Sequence, residues 1–228
     1  MSGTDSDQDA PLLEELRETL LLATLPHVAF DGWTEAALRA GAADAGRAAE
    51  DVARAFPGGA ISAIEAFNRR ADRRMVAALE ALDTGAMRTH ETLAAAIRAR
   101  LEDVAPHKEA VRRGLTVLAF PLNAPLALRM LHRTVDAAWR AAGDRSTDFN
   151  WYTKRGLLAG VYSATVLYWL NDKSEDQADT WAFLDRRLSE VMRVGGAIGR
   201  AAKAMGAFRS PFSRPGARPF PGPFSSRR

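Results

Sequence analysis

Cysteine is absent from the 228-residue chain, which removes disulfides, thiolate metal sites and thiol nucleophiles together and fits a reducing compartment. Histidine is scarce: His27, His90, His107 and His132 stand too far apart for paired ligands, and His90-Glu91 lacks the second histidine of a zinc-protease helix. No Gly-rich phosphate loop, G-x-S-x-G elbow or recognisable Ser-His-Asp spacing occurs, and most carboxylates sit beside arginines on helix faces, where ion pairing accounts for them. A noncatalytic protein without metal or other cofactor is therefore expected. Long apolar runs are missing too. The longest uncharged stretch, GLLAGVYSATVLYWL at 156–170, falls short of the roughly 20 residues that span a bilayer, and it reads as a buried helix. The start, MSGTDSDQDA, is acidic and small, unlike a signal or transit peptide, so neither export nor organelle import is expected.

Strand signals are equally thin. Sustained alternation and Asn-Gly or Asp-Gly hairpins are missing, while Ala, Leu, Arg and Glu recur at helical spacing, so the fold is expected to be all-α. Net charge is only +3, but it is unevenly placed: residues 1–56 carry four arginines against eleven carboxylates, a net of −7, whereas eight bases and no acid follow Glu190. One end repels polyanions and the other attracts them.

A first helix is expected over 11–26, with Leu12, Leu16 and Leu20, and in part Thr19 and Ala23, on one face. Short helices over 34–43 and 48–56 complete a helix-turn-helix layout. The second of these opens with Glu50-Asp51 in AAEDVARAF, where a DNA reader needs bases to neutralise phosphate, so the layout reads as degenerate scaffold and no nucleic acid is expected. A long helix over 60–82 turns Ile61, Ile64, Phe67, Met75 and Leu79 inward and carries Arg69, Arg70, Arg73 and Arg74, a cluster that reads as a solvated face. Further helices are expected over 88–104, 106–120, 124–142, 150–170 and 177–208, punctuated by Pro106, Pro121, Pro125 and Gly143.

The segment GDRSTDFNWYTKR at 143–155 sits at the mouth of the most apolar helix. Asp148 or Asn150 is suited to cap that helix, which places Trp151 in its first turn near the surface. Along it Arg155, Leu158, Tyr162, Thr165 and Trp169 share one face and Leu157, Val161, Ala164 and Tyr168 another, so nearly every side is apolar and must be enclosed. An elongated apolar pocket is expected among the helices of 106–170, lined by Trp139, Leu158, Tyr162 and Trp169. Arg155 is the exception, costly one turn inside unless paired. Two readings stay open for it: a salt bridge to Asp148, Asp136 or another core-edge acid, or a head-group anchor at the mouth of that pocket.

The strings LPHVAFDGWTEAALRAGA, VDAAWRAAGD, STDFNWYTKR, LLAGVYSATVLYWLNDKS and DTWAFLDRRL together resemble the ubiquinone-biosynthesis accessory family that partners the di-iron demethoxyubiquinone hydroxylase, over about residues 12–192. The resemblance implies an all-helical fold like TetR regulators, a homodimer, and a larger domain that holds an isoprenoid quinone intermediate or a phospholipid and presents it to the hydroxylase or an equivalent monooxygenase. It further implies that Trp151 and Tyr152 belong to the patch that meets that enzyme, with Ala138 standing where a bulkier apolar residue can occur, and that Arg155 touches a lipid head group. Family members in eukaryotes carry an organelle-targeting extension; the Ala- and Arg-rich composition suits a bacterial cytoplasmic version docked on the inner membrane. A TetR-type ligand-sensing transcriptional regulator is the alternative.

Beyond Val191, the residues Val194, Ile198, Met205 and Phe208 recur at helical spacing with Arg200 and Lys203 opposite, the pattern of an amphipathic helix lying on an anionic membrane surface. The expected organisation is a disordered start at 1–10, a degenerate helix-turn-helix module at 11–58, a lipid-binding and dimerisation domain at 59–190, a membrane-binding helix at 191–208 and a disordered basic tail at 209–228.

Overall fold

In the computed structural model, which describes residues 5–144 and 149–207, the chain is built from helices, and no strand occurs among the described residues. They run in the order α1 (Asp5–Asp31), α2 (Glu35–Asp44), α3 (Ala49–Ala55), α4 (Gly59–Glu80), α5 (Thr89–Val104), α6 (Lys108–Leu118), α7 (Ala124–Ala141), α8 (Phe149–Asn171) and α9 (Ala178–Ala207), with single 3-10 turns between some of them. The all-α expectation and the spacing of most elements hold to within two residues. No single described helix is long and apolar enough to cross a membrane.

The first helix departs from expectation. It begins at Asp5, six residues early, so residues 5–10 belong to it, and it runs through Pro11 and Pro26 to Asp31. An interior proline costs about 3 kcal/mol because it removes a donor and crowds the preceding turn. Pro26 and Leu22, whose carbonyl loses its helical donor to the proline, lie on the exposed side, while Leu25 and Val28 are buried in the core. Packing of those side chains carries the helix past the proline. The buried face is also turned from the expected one: Leu12 is exposed, and Leu16, Leu20, Leu21, Leu25 and Val28 point inward, because α2, α4 and α6 all pack against α1 on that side.

Gly32, with φ +70°, ends α1 in the left-handed conformation that glycine adopts without strain, its N–H donating to the Val28 carbonyl at 3.0 Å. Thr34 then caps α2, its Oγ1 accepting from the Ala37 N–H at 3.2 Å. Where α2 crosses α1 a side chain would not fit, since a Cβ on Gly41 would lie 2.6 Å from the Cα of Thr24. In α3, Asp51 accepts from the Ala48 N–H at 3.3 Å and Val52 and Ala55 are buried, leaving Glu50 exposed at the start of the helix that would read DNA.

Trp33, in the turn after α1, joins this module to the rest of the chain. Its ring lies 5.7 Å from that of Phe67 and its Nε1 donates to the Ala110 carbonyl at 2.9 Å. Three of the four arginines in the α4 cluster are ion-paired, Arg70 with Glu18 and Asp103, Arg73 with Glu14, and Arg74 with Asp103, and Arg69 is exposed. At the α8–α9 corner the Asp172 carboxylate accepts from the N–H and hydroxyl of both Ser174 and Thr180. Burial opposes its charge, yet those four donors outweigh it and hold the carboxyl far below the usual range.

Candidate binding cavity

The apolar periodicities of α4 to α8 do not close into a solid core. They leave a cavity of about 300 Å³, at the lower end of the roughly 300–1,000 Å³ of small-molecule sites. Trp33, Ile64 and Phe67 line it from one side and Met130, Val166 and Tyr162 from another. Leu115 on α6, Leu128 on α7 and Leu167 on α8 both line the cavity and reach solvent, so it opens between those three helices. Beside that rim, the α6–α7 connection exposes Phe120 and Leu122.

Polar side chains gather on one wall. Arg100 of α5 is 5% exposed, and its Nε donates to Asp72 Oδ1 at 2.9 Å while Nη2 donates to Asn68 Oδ1 at 3.0 Å. Thr134 Oγ1 donates to the same Asp72 oxygen at 2.8 Å, and Arg133 Nε reaches Asp72 Oδ2 at 3.4 Å. The Arg100 guanidinium lies 5.3 Å from the centre of the Tyr162 ring. Burial opposes the charge on Arg100, but Tyr162 and Asp72 beside it raise its pKa, so it stays protonated. Burial pushes the Tyr162 phenol up, so this hydroxyl is neutral at physiological pH. Beside an otherwise apolar space the wall thus holds the Arg100–Asp72 pair, which Arg133 joins from its more exposed side, and a neutral phenol.

Of the four lining residues expected from the sequence, only Tyr162 borders this cavity. Trp139, Leu158 and Trp169 are core residues instead. Trp139 Nε1 donates to the Lys154 carbonyl at 3.2 Å, tying α7 to α8, and Trp169 is fully enclosed with Lys108 Nζ 4.8 Å from its ring centre. Of α8, Tyr162, Ser163, Val166 and Leu167 border the void, while the helix also packs on α7 and α9. Arg100 and Asp72 were missed. The signal lay in their register: Asp72 lies three and four positions from the buried Met75 and the half-buried Asn68, and Arg100 three and four from Ile97 and Ala96. A charged pair at core positions is costly unless matched across the helix interface.

Arg155 resolves toward its salt-bridge reading. Its Nε donates to Asp136 Oδ1 at 2.6 Å and its Nη1 to Asp144 Oδ2 at 3.1 Å, and it does not line the cavity, which counts against the head-group role. Trp151 packs with its ring centre 4.2 Å from that guanidinium, 4.7 Å from the Tyr152 ring and 5.4 Å from the His132 ring. Tyr152 is 70% exposed and Trp151 half-buried, which leaves an aromatic surface at the start of α8. Ala138, expected in that surface, is buried, because it faces into the core from the last turns of α7. Asp148 and the side chain of Asn150 lie outside the described residues. So do the side chains of Val194, Ile198, Arg200, Lys203 and Met205, all of α9, and the whole of Phe208 and the tail.

A TetR transcriptional regulator from Nitrosomonas europaea superposes with a TM-score of 0.65 over 78% of this chain and 98% of its own, at 21% identity. At that identity the likeness concerns the fold, and it matches the TetR-like architecture expected. The COQ9 family model matches residues 124–195, the helices that carry the aromatic surface. The mitochondrial ubiquinone biosynthesis protein COQ9 of Bos taurus is 34% identical over 200 residues, covering 85% of this chain and 62% of its own length. The human protein of the same name is 34% identical over 85% of this chain and 63% of its length. The chain thus spans just over three fifths of these relatives. COQ9-B of Xenopus laevis is 34% identical over 207 residues, covering 87% of this chain and 70% of its own. All three bear mitochondrial names, which overturns the expectation of a bacterial cytoplasmic protein. With a third of its residues shared across most of its length and the family model placed on α7 to α9, the chain belongs to the COQ9 family of ubiquinone biosynthesis proteins.

Proposed function

We propose that this chain is a noncatalytic accessory protein of ubiquinone biosynthesis that takes an isoprenoid quinone intermediate or a phospholipid from an anionic membrane surface and presents it to the demethoxyubiquinone hydroxylase or an equivalent monooxygenase. The observation that carries this reading is the apolar cavity among α4 to α8, with exposed leucines at its rim and a single polar wall inside. A space of about 300 Å³ encloses a head or a short length of chain, so the remainder of a long isoprenoid tail leaves through the rim. Phe120 and Leu122, exposed beside it, are suited to lie against acyl chains. Tyr152 and Trp151 supply an aromatic contact surface for the enzyme, of the kind that anchors interfaces. The stacked Tyr168 and Phe183 rings, 4.7 Å apart on α8 and α9, offer an apolar face for a homodimer beside that rim. Organic extraction of the purified protein followed by mass spectrometry tests the reading; protein that carries no isoprenoid or acyl lipid refutes it.

The TetR-like fold favours a second reading, a regulator that senses an apolar ligand. Glu50 and Asp51 at the start of α3 oppose it, since they meet phosphate with like charge. Salt-dependent retention on duplex DNA would support the regulator and count against the carrier.

A further inference from the structure

The corner between α6 and α7 is apolar where a surface turn is ordinarily polar. Leu122 at its apex is 92% exposed and Phe120 62%, and neither side chain has a place in the core. The segments on either side, Thr89–Leu118 and Pro121–Ala141, are bent by 96° against each other, so this part of the chain makes a corner rather than a straight span.

The backbone of the corner is closed on itself. Ala119 N–H donates to the Leu115 carbonyl at 2.9 Å, Phe120 N–H to that of Val117 at 3.4 Å, Asn123 N–H to that of Phe120 at 2.8 Å and Ala124 N–H to that of Pro121. Pro121 and Pro125 have no N–H to satisfy. Four of the five N–H groups in residues 119–125 are thus paired, and the Asn123 side chain folds back to donate to the Val117 carbonyl at 2.8 Å. A turn in water has no need of such closure, because water serves its polar groups; a turn that enters an apolar medium does.

Charge points the same way. Residues 110–135 hold Arg112, Arg113, Arg129 and Arg133 and no acid, and residues 156–170 of α8, which bring Leu167 to the cavity rim, are uncharged. Arg129 is exposed and makes no ion pair among the described residues. Bases flanking an apolar tip, without carboxylates between them, complement the negative potential of an anionic leaflet. Protein interfaces surround an apolar centre with a polar rim, whereas beside this tip stand the exposed leucines of the cavity mouth.

We propose that the α6–α7 corner is a wedge that enters the head-group and upper acyl region of an anionic leaflet, Phe120 and Leu122 foremost, and so lays the cavity rim of Leu115, Leu128 and Leu167 against the acyl chains. The bases after Glu190 attract the chain to the surface over a distance, and the corner makes the short-range contact that follows. The inference rests on the carrier reading for its purpose. It adds which face meets the bilayer and the route of the lipid, from leaflet to cavity between α6, α7 and α8 without passing through water.

The chain has no cysteine, so Leu122→Cys, and Glu50→Cys on the exposed start of α3, can each carry a single polarity-sensitive fluorophore. Both are mixed with vesicles of phosphatidylcholine and phosphatidylglycerol, with and without a lipid bearing a nitroxide on its acyl chain. The dye on the corner should shift to the blue and be quenched by the nitroxide, and the dye on α3 should do neither. In the unlabelled full chain, Phe120→Ser with Leu122→Ser should weaken sedimentation with these vesicles roughly tenfold or more, at unchanged melting temperature because neither side chain packs in the core. A corner dye that stays in water while the protein sediments overturns the wedge and leaves the carrier reading intact. A blue shift that appears without vesicles as protein concentration rises assigns the corner to a second copy of the chain and also overturns the wedge. Insertion of the corner by a protein that carries no lipid upholds the wedge and refutes the carrier reading alone.

Discussion

Arg155 Nε lies 2.6 Å from Asp136 Oδ1, and the same guanidinium reaches Asp144 at 3.1 Å with the Trp151 ring packed over it. One buried cation therefore joins α7, the turn after it and α8 beneath the exposed aromatic surface. Replacing it by Met removes the buried cation and leaves Asp136 with the exposed Arg140 and Asp144 with Lys154 as counter-charges, so the cost is at most the roughly 3–5 kcal/mol of a buried pair broken outright. The expected outcome of Arg155→Met is a marked drop in melting temperature with lipid content per folded molecule unchanged. A stable variant that has lost its lipid would restore the head-group role.

Tyr152 and Trp151 are not equivalent. Tyr152 makes its contacts at the surface, whereas Trp151 covers the Arg155 guanidinium. Tyr152→Ala should therefore weaken binding to the hydroxylase by about 2 kcal/mol, the loss typical of an interface anchor, with no change in thermal unfolding. Trp151→Ala should lower both. Unchanged affinity for Tyr152→Ala, read by calorimetry against the purified enzyme, would move the docking surface elsewhere.

Ala127 lines the cavity from α7 and is only half-buried. Ala127→Phe places a ring in the open volume without displacing a core side chain, so the fold should survive while co-purifying lipid falls several-fold. Overpacking in cores costs about 1–3 kcal/mol, so a variant that stays at wild-type stability marks the volume as truly empty. Full lipid content in that variant would place the ligand in another part of the molecule.

Asp172 sets an acid-sensitive corner. Its carboxyl is held far below the unfolded value of about 3.9 by donors from Ser174 and Thr180. A depressed folded value means that its contribution is present above that unfolded value and is lost as pH falls through the folded one. Melting temperatures followed from pH 7 down to pH 2 should fall more steeply below about pH 4 in the native chain than in Asp172→Asn, which should be less stable at neutral pH and flatter in acid. Parallel curves would mean that the corner is held by other contacts.

Removing the residues after Met192 takes away all eight bases that follow Glu190. Near an anionic leaflet each basic residue contributes about 1 kcal/mol. The truncated chain should keep its melting temperature and lose sedimentation with phosphatidylglycerol vesicles, and the full chain should be released by raised salt. Undiminished binding by the truncation would point to Phe120 and Leu122 beside the cavity rim instead.

The sequence by itself determined the helices of this protein, because a helix is specified by neighbours three and four positions apart: α4, α5 and α7 begin and end within two residues of where apolar spacing, Pro125 and Gly143 place them. It determined as well that α3 would face phosphate with Glu50, a property of one turn, and the strings around Trp151 and Tyr152 pointed to the family the comparisons assign. Tertiary structure decided what depends on distant partners. Pro26 stays inside α1 because Val28 finds a place in the core formed by elements far along the chain. The fate of Arg155 rested on Asp136 and Asp144, 19 and 11 residues away, and that of Arg100 on Asp72, 28 residues away. Which apolar face of α8 borders a void and which is packed solid is likewise absent from its periodicity, since Tyr162 and Trp169 share a stripe and only the packing of α4 to α7 around them separates a wall of the cavity from a piece of the core.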